Sequence, residues 1–413
     1  MSSIVLLAVW LPIAAPAVAQ EARAPAPITL AEVLAAGRAE SPAIAAARSR
    51  EQAAVAAAGV AGRWPNPALE FRSENFGADV PGGLPVDSFA TVTQTLELGG
   101  KRGARRGAAQ ARAEKARVDA FAATRGIEGE LAARFLEAVR LRDRTGILTT
   151  QRDALAEFVR VLERRVAEGF APDADRARLA AETTTVAITA VRAETAANRA
   201  FLDLRALAAL PEGATAAALV RPDPLAPPTG DPAQLAAGAV AERPDVRAAA
   251  VRVETALRAV RLQNSLRVPD LTVNTGLKRT LDTNAGVFAL GVGLPVFDRN
   301  QVAATLARGE VRAAELERDL VTRRAEADAT AALLNARRLA EAAAGSEAQL
   351  VEPATVARTA MRSAFDLGAA DILLVVDAER AFADARLLAN DIQIEAVAAA
   401  IAARLALGEA PLP

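Results

Sequence analysis

The sequence predicts a mainly α protein with a small β part, internally duplicated, in which long antiparallel coiled-coil hairpins follow pairs of short strands. Three observations carry that prediction. Alanine supplies about half of the 52% hydrophobic content, aromatic residues make up only 3%, and tyrosine is absent. Alanine forms helix well but buries little area, which favours closely packed helices over one large compact core. The same punctuation recurs 202 residues apart: Thr29 with Asp231, Ser41-Pro42 with Arg243-Pro244, and Asn66-Pro67 with Val268-Pro269. Finally, short segments alternating in period two sit between stretches with helical periodicity.

Residues 1–19, MSSIVLLAVWLPIAAPAVA, read as a signal peptide. The apolar stretch Ile4–Ala15 precedes a small-x-small cleavage pattern at Ala17-Val18-Ala19, although no Lys or Arg stands before it. No cysteine follows to take a lipid. No later apolar run reaches the ~18–20 residues of a spanning helix. The mature chain is therefore expected to be exported with neither a transmembrane helix nor a lipid anchor.

The first repeat is assigned to residues 20–210. Thr29-Leu-Ala-Glu32 is a capping box that opens a helix over roughly 29–63. Strands follow at about 67–77 and 86–98. A long helix then runs from Lys101 to about Glu168, ~100 Å at 1.5 Å per residue. Leu141, Leu148, Leu155 and Leu162 fall seven apart, and Val159 and Val166 complete a seam near the 3.5 period. Gly169-Phe-Ala-Pro172 breaks the helix, and a second helix returns to about Leu210. Residues 211–232 hold six prolines and read as an irregular linker.

The second repeat, 233–408, has the same order. Asp231-Pro-Ala-Gln234 reads as a capping box with Pro at the first helical position, and the helix runs over about 231–266. Strands at about 268–280 and 285–296 lead into a helical hairpin that turns around Phe365–Ala370 and ends near Leu407. Residues 409–413 are a tail. In FALGVGLPVFDRNQ, 288–301, Pro295 is placed near the end of the last ladder, where a missing N–H is tolerable. Asp298 with Gln301 reads as the capping box of the next helix.

The strands alternate large apolar with polar or small residues. Leu271, Val273, Thr275 and Leu277 oppose Asp270, Thr272 and Asn274; Phe288, Leu290, Val292 and Leu294 oppose Val287, Ala289, Gly291 and Gly293. About ten residues is the length of a tilted membrane-spanning strand. Four strands cannot close a barrel, and an open edge is not tolerated in lipid, so membrane-spanning strands would require several chains in one barrel. With tyrosine absent and Trp64 ahead of the first strand, Phe71, Phe76, Phe89, Phe288 and Phe297 would supply the interfacial belts. The hairpin tips are short, Pro81–Pro85 in the first repeat and Leu281–Ala285 in the second.

A net charge of −1 with both signs interspersed argues against a nucleic-acid partner. The absence of His and Cys removes thiol chemistry, disulfides, His general bases and His- or Cys-based metal sites. No cofactor and no catalysis are expected.

The junctions QTLELGGKR, 94–102, and GVGLPVFDRNQ, 291–301, together with ERPDVRAA, 242–249, and the duplicated plan, resemble the TolC-like outer-membrane efflux proteins. The two junctions look most like the branch serving cobalt–zinc–cadmium and copper–silver efflux. Gly99, Gly100, Pro295 and Asp298 are the junction residues that carry the likeness. The resemblance implies a homotrimer with a 12-stranded outer-membrane β-barrel and a periplasmic α-barrel. It also implies docking to a periplasmic adaptor and an inner-membrane proton-driven transporter of the RND type, with outer-membrane lipid around the barrel. Arg165-Val-Ala-Glu-Gly169 fits the family's R-x-x-x-G hairpin tip, with Asp175 six residues beyond, and Gly368 begins the matching second tip. These residues are assigned to adaptor docking. Val376-Asp377-Ala378 matches the family's L-D-A, which makes Asp377 the first candidate for an acidic pore ring and Asp371 the next. Leu374 occupies the position of a second family Asp. On the residues alone an exported periplasmic coiled-coil scaffold stays an alternative, and for a conduit the cargo stays open among metal ions, drugs and secreted polypeptides.

Overall fold

Each repeat opens on a helix that a proline divides. In the computed structural model, which describes residues 27–76 and 85–413, α1 spans Leu30–Glu40 and α2 spans Pro42–Val60. The signal peptide read at 1–19, and all of the 81–85 tip except Pro85, lie outside the described residues. In the second repeat α5, Pro232–Ala239, is followed by a 3-10 turn, Val240–Glu242, and by α6, Pro244–Ser265. The single helices expected over 29–63 and 231–266 are thus each two. Steric pressure from a proline ring drives the preceding residue out of the helical region, and Ser41 (ψ 119°) and Arg243 (ψ 136°) are both extended. The Thr29 capping box forms, with Thr29 N–H donating to Glu32 Oε2 at 2.8 Å and Glu32 N–H to Thr29 Oγ1 at 3.3 Å. Asp231 caps α5 by position only, since its side chain makes no capping hydrogen bond.

Four strands, β1 (Ala68–Glu74), β2 (Asp87–Leu96), β3 (Leu271–Thr280) and β4 (Thr283–Val292), form one antiparallel sheet in the order β1-β2-β3-β4. The two repeats join at β2–β3, where Thr91 pairs with Gly276 and Leu96 with Leu271. Register sorts the side chains cleanly. Leu69–Val92–Thr275–Phe288 is a row on one face, and Ala68–Thr93–Asn274–Ala289 is a row on the other. On the apolar face Leu69, Phe71, Leu277, Phe288 and Leu290 are all at least 60% exposed. An apolar patch of that kind calls for a hydrophobic environment.

Three expectations are corrected here. The last turn is tighter than Leu281–Ala285, because Thr280 already pairs with Thr283 and Leu281 takes a left-handed conformation (φ 53°). The last strand ends at Val292 rather than at about 296, so Pro295 lies just beyond the ladder. Phe89 does not join the apolar face, since it shares a row with Arg72 and Lys278 on the polar one. At Gly276 the strands leave no room for a side chain: a β-carbon there would lie 2.2 Å from the Ala90 carbonyl oxygen and 2.6 Å from Thr91 Cα.

The long helices are α3 (Lys101–Ala167), α4 (Asp173–Ala208), α7 (Gln301–Ser346), α8 (Glu352–Asp366) and α9 (Ile372–Ala406). A π turn, Glu347–Val351, joins α7 to α8 just ahead of Pro353. Proline lacks the N–H and its ring crowds the carbonyl four residues back; the wider turn accommodates both. α3 packs between α4 and α9, and α9 packs against α7 and α8, giving a wall of helices. The main core gathers Leu131, Phe135, Val139, Leu204, Ile394 and Ile401 beneath Leu30 and Val33 of α1. The linker lies against this wall: Ile28 bridges to Leu219, and Arg221 donates to Asp143, Asn390 and Gln393 at 2.7–2.9 Å. Farther along α3, Leu148, Leu155 and Leu162 of the heptad seam are buried.

Candidate functional site

Two places concentrate the unusual backbone, one at each end of the long helices. At the strand end Gly99 (φ 66°) and Gly100 (φ 73°) turn the chain from β2 into α3, and a β-carbon on Gly99 would lie 2.6 Å from Val268 Cβ. Positive φ and close approach together require glycine at this position. Lys101, 6% exposed, is held by Asp270 at 2.7 Å, and the same carboxylate oxygen accepts from Leu98 N–H. Arg105 binds the Glu97 carboxylate through both terminal nitrogens and also reaches the Ala61 and Arg63 carbonyls. The second junction uses Asn300 in place of glycine as a left-handed N-cap (φ 56°), with its side-chain amide donating to the carbonyl and Oε1 of Gln263.

The capping box read at Asp298 and Gln301 does not form. Asp298 Oδ1 accepts from Asn300 N–H at 2.8 Å, Gln301 Oε1 accepts from Arg299 N–H at 2.7 Å, and α7 begins at Gln301 itself. A box needs Gln at the third helical position, and here it is the first.

At the far end the two hairpins turn alike. Gly169 (φ 81°) and Gly368 (φ 74°) each follow the C-cap residue of a helix, Glu168 and Leu367. Phe170 N–H donates to Arg165 O and Gly169 N–H to Val166 O; Ala369 N–H donates to Ala364 O and Gly368 N–H to Phe365 O. Both are Schellman ends, in which glycine satisfies the terminal carbonyls at no steric cost. Each tip shows solvent a large apolar side chain, Phe170 (79% exposed) and Leu367 (85%). Asp175 lies in the first turn of α4 with Asp173, where the helix dipole favours carboxylates. Arg176 holds Asp173 at 2.6 Å, and this hydrogen bond lowers the Asp173 pKa from its ordinary value.

The tips are packed into one cluster. Phe158 and Phe365 meet edge to face at 5.9 Å, among Leu155, Leu162, Ile372 and Val375. The Arg165 guanidinium lies 4.3 Å from the Phe365 ring centre and that of Arg362 lies 5.1 Å from Phe158. Beside them Glu379, 2% exposed, accepts from Arg358 at 3.0 Å and Arg362 at 2.5 Å. This clasp escaped the sequence reading, because Phe158 and Phe365 stand 207 residues apart and no pattern within either helix points to the other. Asp371 is the N-cap of α9, its Oδ1 accepting from Leu373 N–H at 3.0 Å. Asp377 is exposed, on the same stripe of α9 as Leu374 and Arg380. A Glu182–Arg380 ion pair of 2.7 Å joins α4 to α9, and its hydrogen bond raises the Arg380 pKa. The structure thus brings Arg165, Gly169, Asp175, Gly368, Asp371 and Asp377 to one end, and Gly99, Gly100, Pro295 and Asp298 to the other. Among the described residues no group of three or more His, Cys, Asp or Glu could hold a metal ion.

Among the described residues, a two-faced sheet whose outer strands pair with no further strand is set on helical runs ~100 Å long, α3 and α7–α8, that end in paired glycine tips, the layout of a barrel segment continued by helices. The profile of the outer membrane efflux protein family matches residues 235–409. The nickel and cobalt resistance protein CnrC of Cupriavidus metallidurans is 31% identical over 294 residues, 68% of this chain and 67% of that protein. The cobalt-zinc-cadmium resistance protein CzcC of the same organism is 30% identical over 220 residues. The matched region spans about half the length of CzcC. The outer membrane protein VceC of Vibrio cholerae shares the fold, with a TM-score of 0.75 and 21% identity over 92% of this chain and 96% of that one. The chain belongs to the outer membrane efflux protein family.

Proposed function

We propose that three copies of this chain form the exit duct of a tripartite efflux pump, passively carrying heavy-metal cations from the periplasm across the outer membrane. The carrying observation is the four-stranded sheet, apolar on one face and polar on the other, with β1 and β4 unpaired at its edges among the described residues. Lipid does not tolerate such edges, and three copies supply twelve strands that remove them. The names of CnrC and CzcC support metal cations as the cargo. The duct works with a periplasmic adaptor and an inner-membrane proton-driven transporter of the RND type, needs no cofactor and performs no catalysis. In detergent the protein is expected to run as a trimer from the outer-membrane fraction and to conduct ions in planar bilayers. Recovery as a soluble monomer without channel activity would sink the reading in favour of a periplasmic scaffold.

The tips are the proposed contact with the adaptor, through the exposed turns at Gly169 and Gly368 and the side chains Phe170 and Leu367. Arg165 acts there from beneath by holding Phe365, and Asp175 sets the first turn of the returning helix. Asp377 is the proposed pore ring. Three symmetry-related carboxylates at a constriction attract cations and repel one another. Asp371, engaged as a cap, contributes to the ring second. Asp377→Ala is expected to raise conductance or weaken block by divalent cations; unchanged conductance and block would place the constriction elsewhere.

A further inference from the structure

Of the three phenylalanines within the strands, Phe71 and Phe288 lie on the apolar face and Phe89 on the polar one. Its row reads Arg72–Phe89–Lys278–Ala285. The Arg72 guanidinium lies 4.8 Å and the Lys278 ammonium 5.4 Å from the centre of the ring. Each cation is anchored from the next row towards the hairpin tips: Lys278 by Asp87 at 2.7 Å, and Arg72 by Glu74 at 3.3 Å. Towards the helices the next row is Glu70–Thr91–Gly276–Val287, and beyond it the polar face becomes small, with Thr93, Asn274 and Ala289 in one row and Thr95, Thr272 and Gly291 in another. An apolar ring placed among charges on a water-facing surface is unfavourable unless it is held there, and two cations on an aromatic ring hold it.

We infer that Phe89 and its two symmetry copies, each clamped between Arg72 and Lys278, form a collar that limits the size of what passes the outer mouth of the duct. The inference rests on the duct reading. Twelve strands spaced ~4.8 Å and tilted ~40° enclose a backbone diameter of about 24 Å. Three phenyl rings with their flanking cations fill much of that width at one level, whereas the small rows farther down leave it open. Hydrated ions and small solutes pass such a collar, and bulky polymers are held back.

The chain contains no cysteine, so a single substitution gives a unique label. Thr95 shares the face of Phe89, six residues nearer the helices, which is ~20 Å along the strand and ~15 Å deeper at a tilt of ~40°. In intact cells carrying Thr95→Cys, a small charged methanethiosulfonate applied outside is expected to react at similar rates with Phe89 intact or replaced. A maleimide on a ~2 kDa polyethylene glycol is expected to react at least about tenfold faster when Phe89→Ala is added, and more slowly with Phe89→Trp. The Trp variant carries the test should the Ala variant fail to assemble. Equal polymer rates between the Thr95→Cys parent and whichever variant assembles would overturn the collar. An assembled trimer whose Thr95→Cys resists even the small reagent would overturn the duct reading itself, because the polar face would then line no lumen.

Discussion

Gly276→Val is expected to abolish recovery of the assembled oligomer. A β-carbon at this position falls 2.2 Å from the Ala90 carbonyl oxygen and 2.6 Å from Thr91 Cα. The obstacle is backbone, so no rotamer change relieves it, and β2 and β3 must part where the two repeats meet. The strands then lose ladder hydrogen bonds worth about 1 kcal/mol each as well as local packing, and we expect a cost of at least about 3 kcal/mol. Gly286→Ala is the matched control. It lies in the neighbouring strand with nothing within 4 Å of a new β-carbon, and it should assemble normally. Size-exclusion chromatography in detergent, with thermal melting of the oligomer, reads both. A Gly276→Val protein that assembles and melts like the parent would mean that β2 and β3 are not pressed together there.

The second large effect is expected at the hairpin clasp. Replacing Arg358 and Arg362 together by Met leaves the Glu379 carboxylate, 2% exposed, without its two charged partners. Breaking a buried ion pair from one side costs about 3–5 kcal/mol, because the remaining charge is neither hydrated nor paired. The same change strips the cations from the Phe158 and Phe382 rings, which lie 5.1 Å and 4.4 Å from the two guanidiniums. Adding Glu379→Gln to the double variant removes the stranded charge and should restore most of the loss. Hydrogen exchange across 150–180 and 355–385 is the sensitive measure, since the damage should stay in the tips. Equal protection in the double and triple variants would show that the clasp is held by its aromatic and aliphatic contacts rather than by the charges.

The parts of the fold legible in the chain were those encoded by neighbouring residues. The Thr29 box, the heptad leucines of α3, and the glycines at 99, 100, 169 and 368 each state a local backbone requirement, and the structure meets them. Misreadings arose where two local rules competed. Asp298 and Gln301 have the spacing of a box, but Asn300 takes the left-handed cap and shifts the helix start by enough to disable it. Before Pro42 and Pro244 the Ala-rich propensity argues for continuous helix, but proline constrains its predecessor more strongly than propensity constrains the run.

By itself the sequence determined the duplicated order of elements, the two-faced strands, and the length of the helices that follow them. These depend on periodicity, capping and proline or glycine chemistry within a few residues. Only the tertiary structure decided that Phe89 belongs to the polar face. It alone brought Arg165, Phe158 and Phe365 into one cluster, and it alone tied Asp371 to its helix as a cap while leaving Asp377 free at the surface. Each of those outcomes turns on register or on contact between repeats some 200 residues apart, where the energy lies in pairs that no local pattern records.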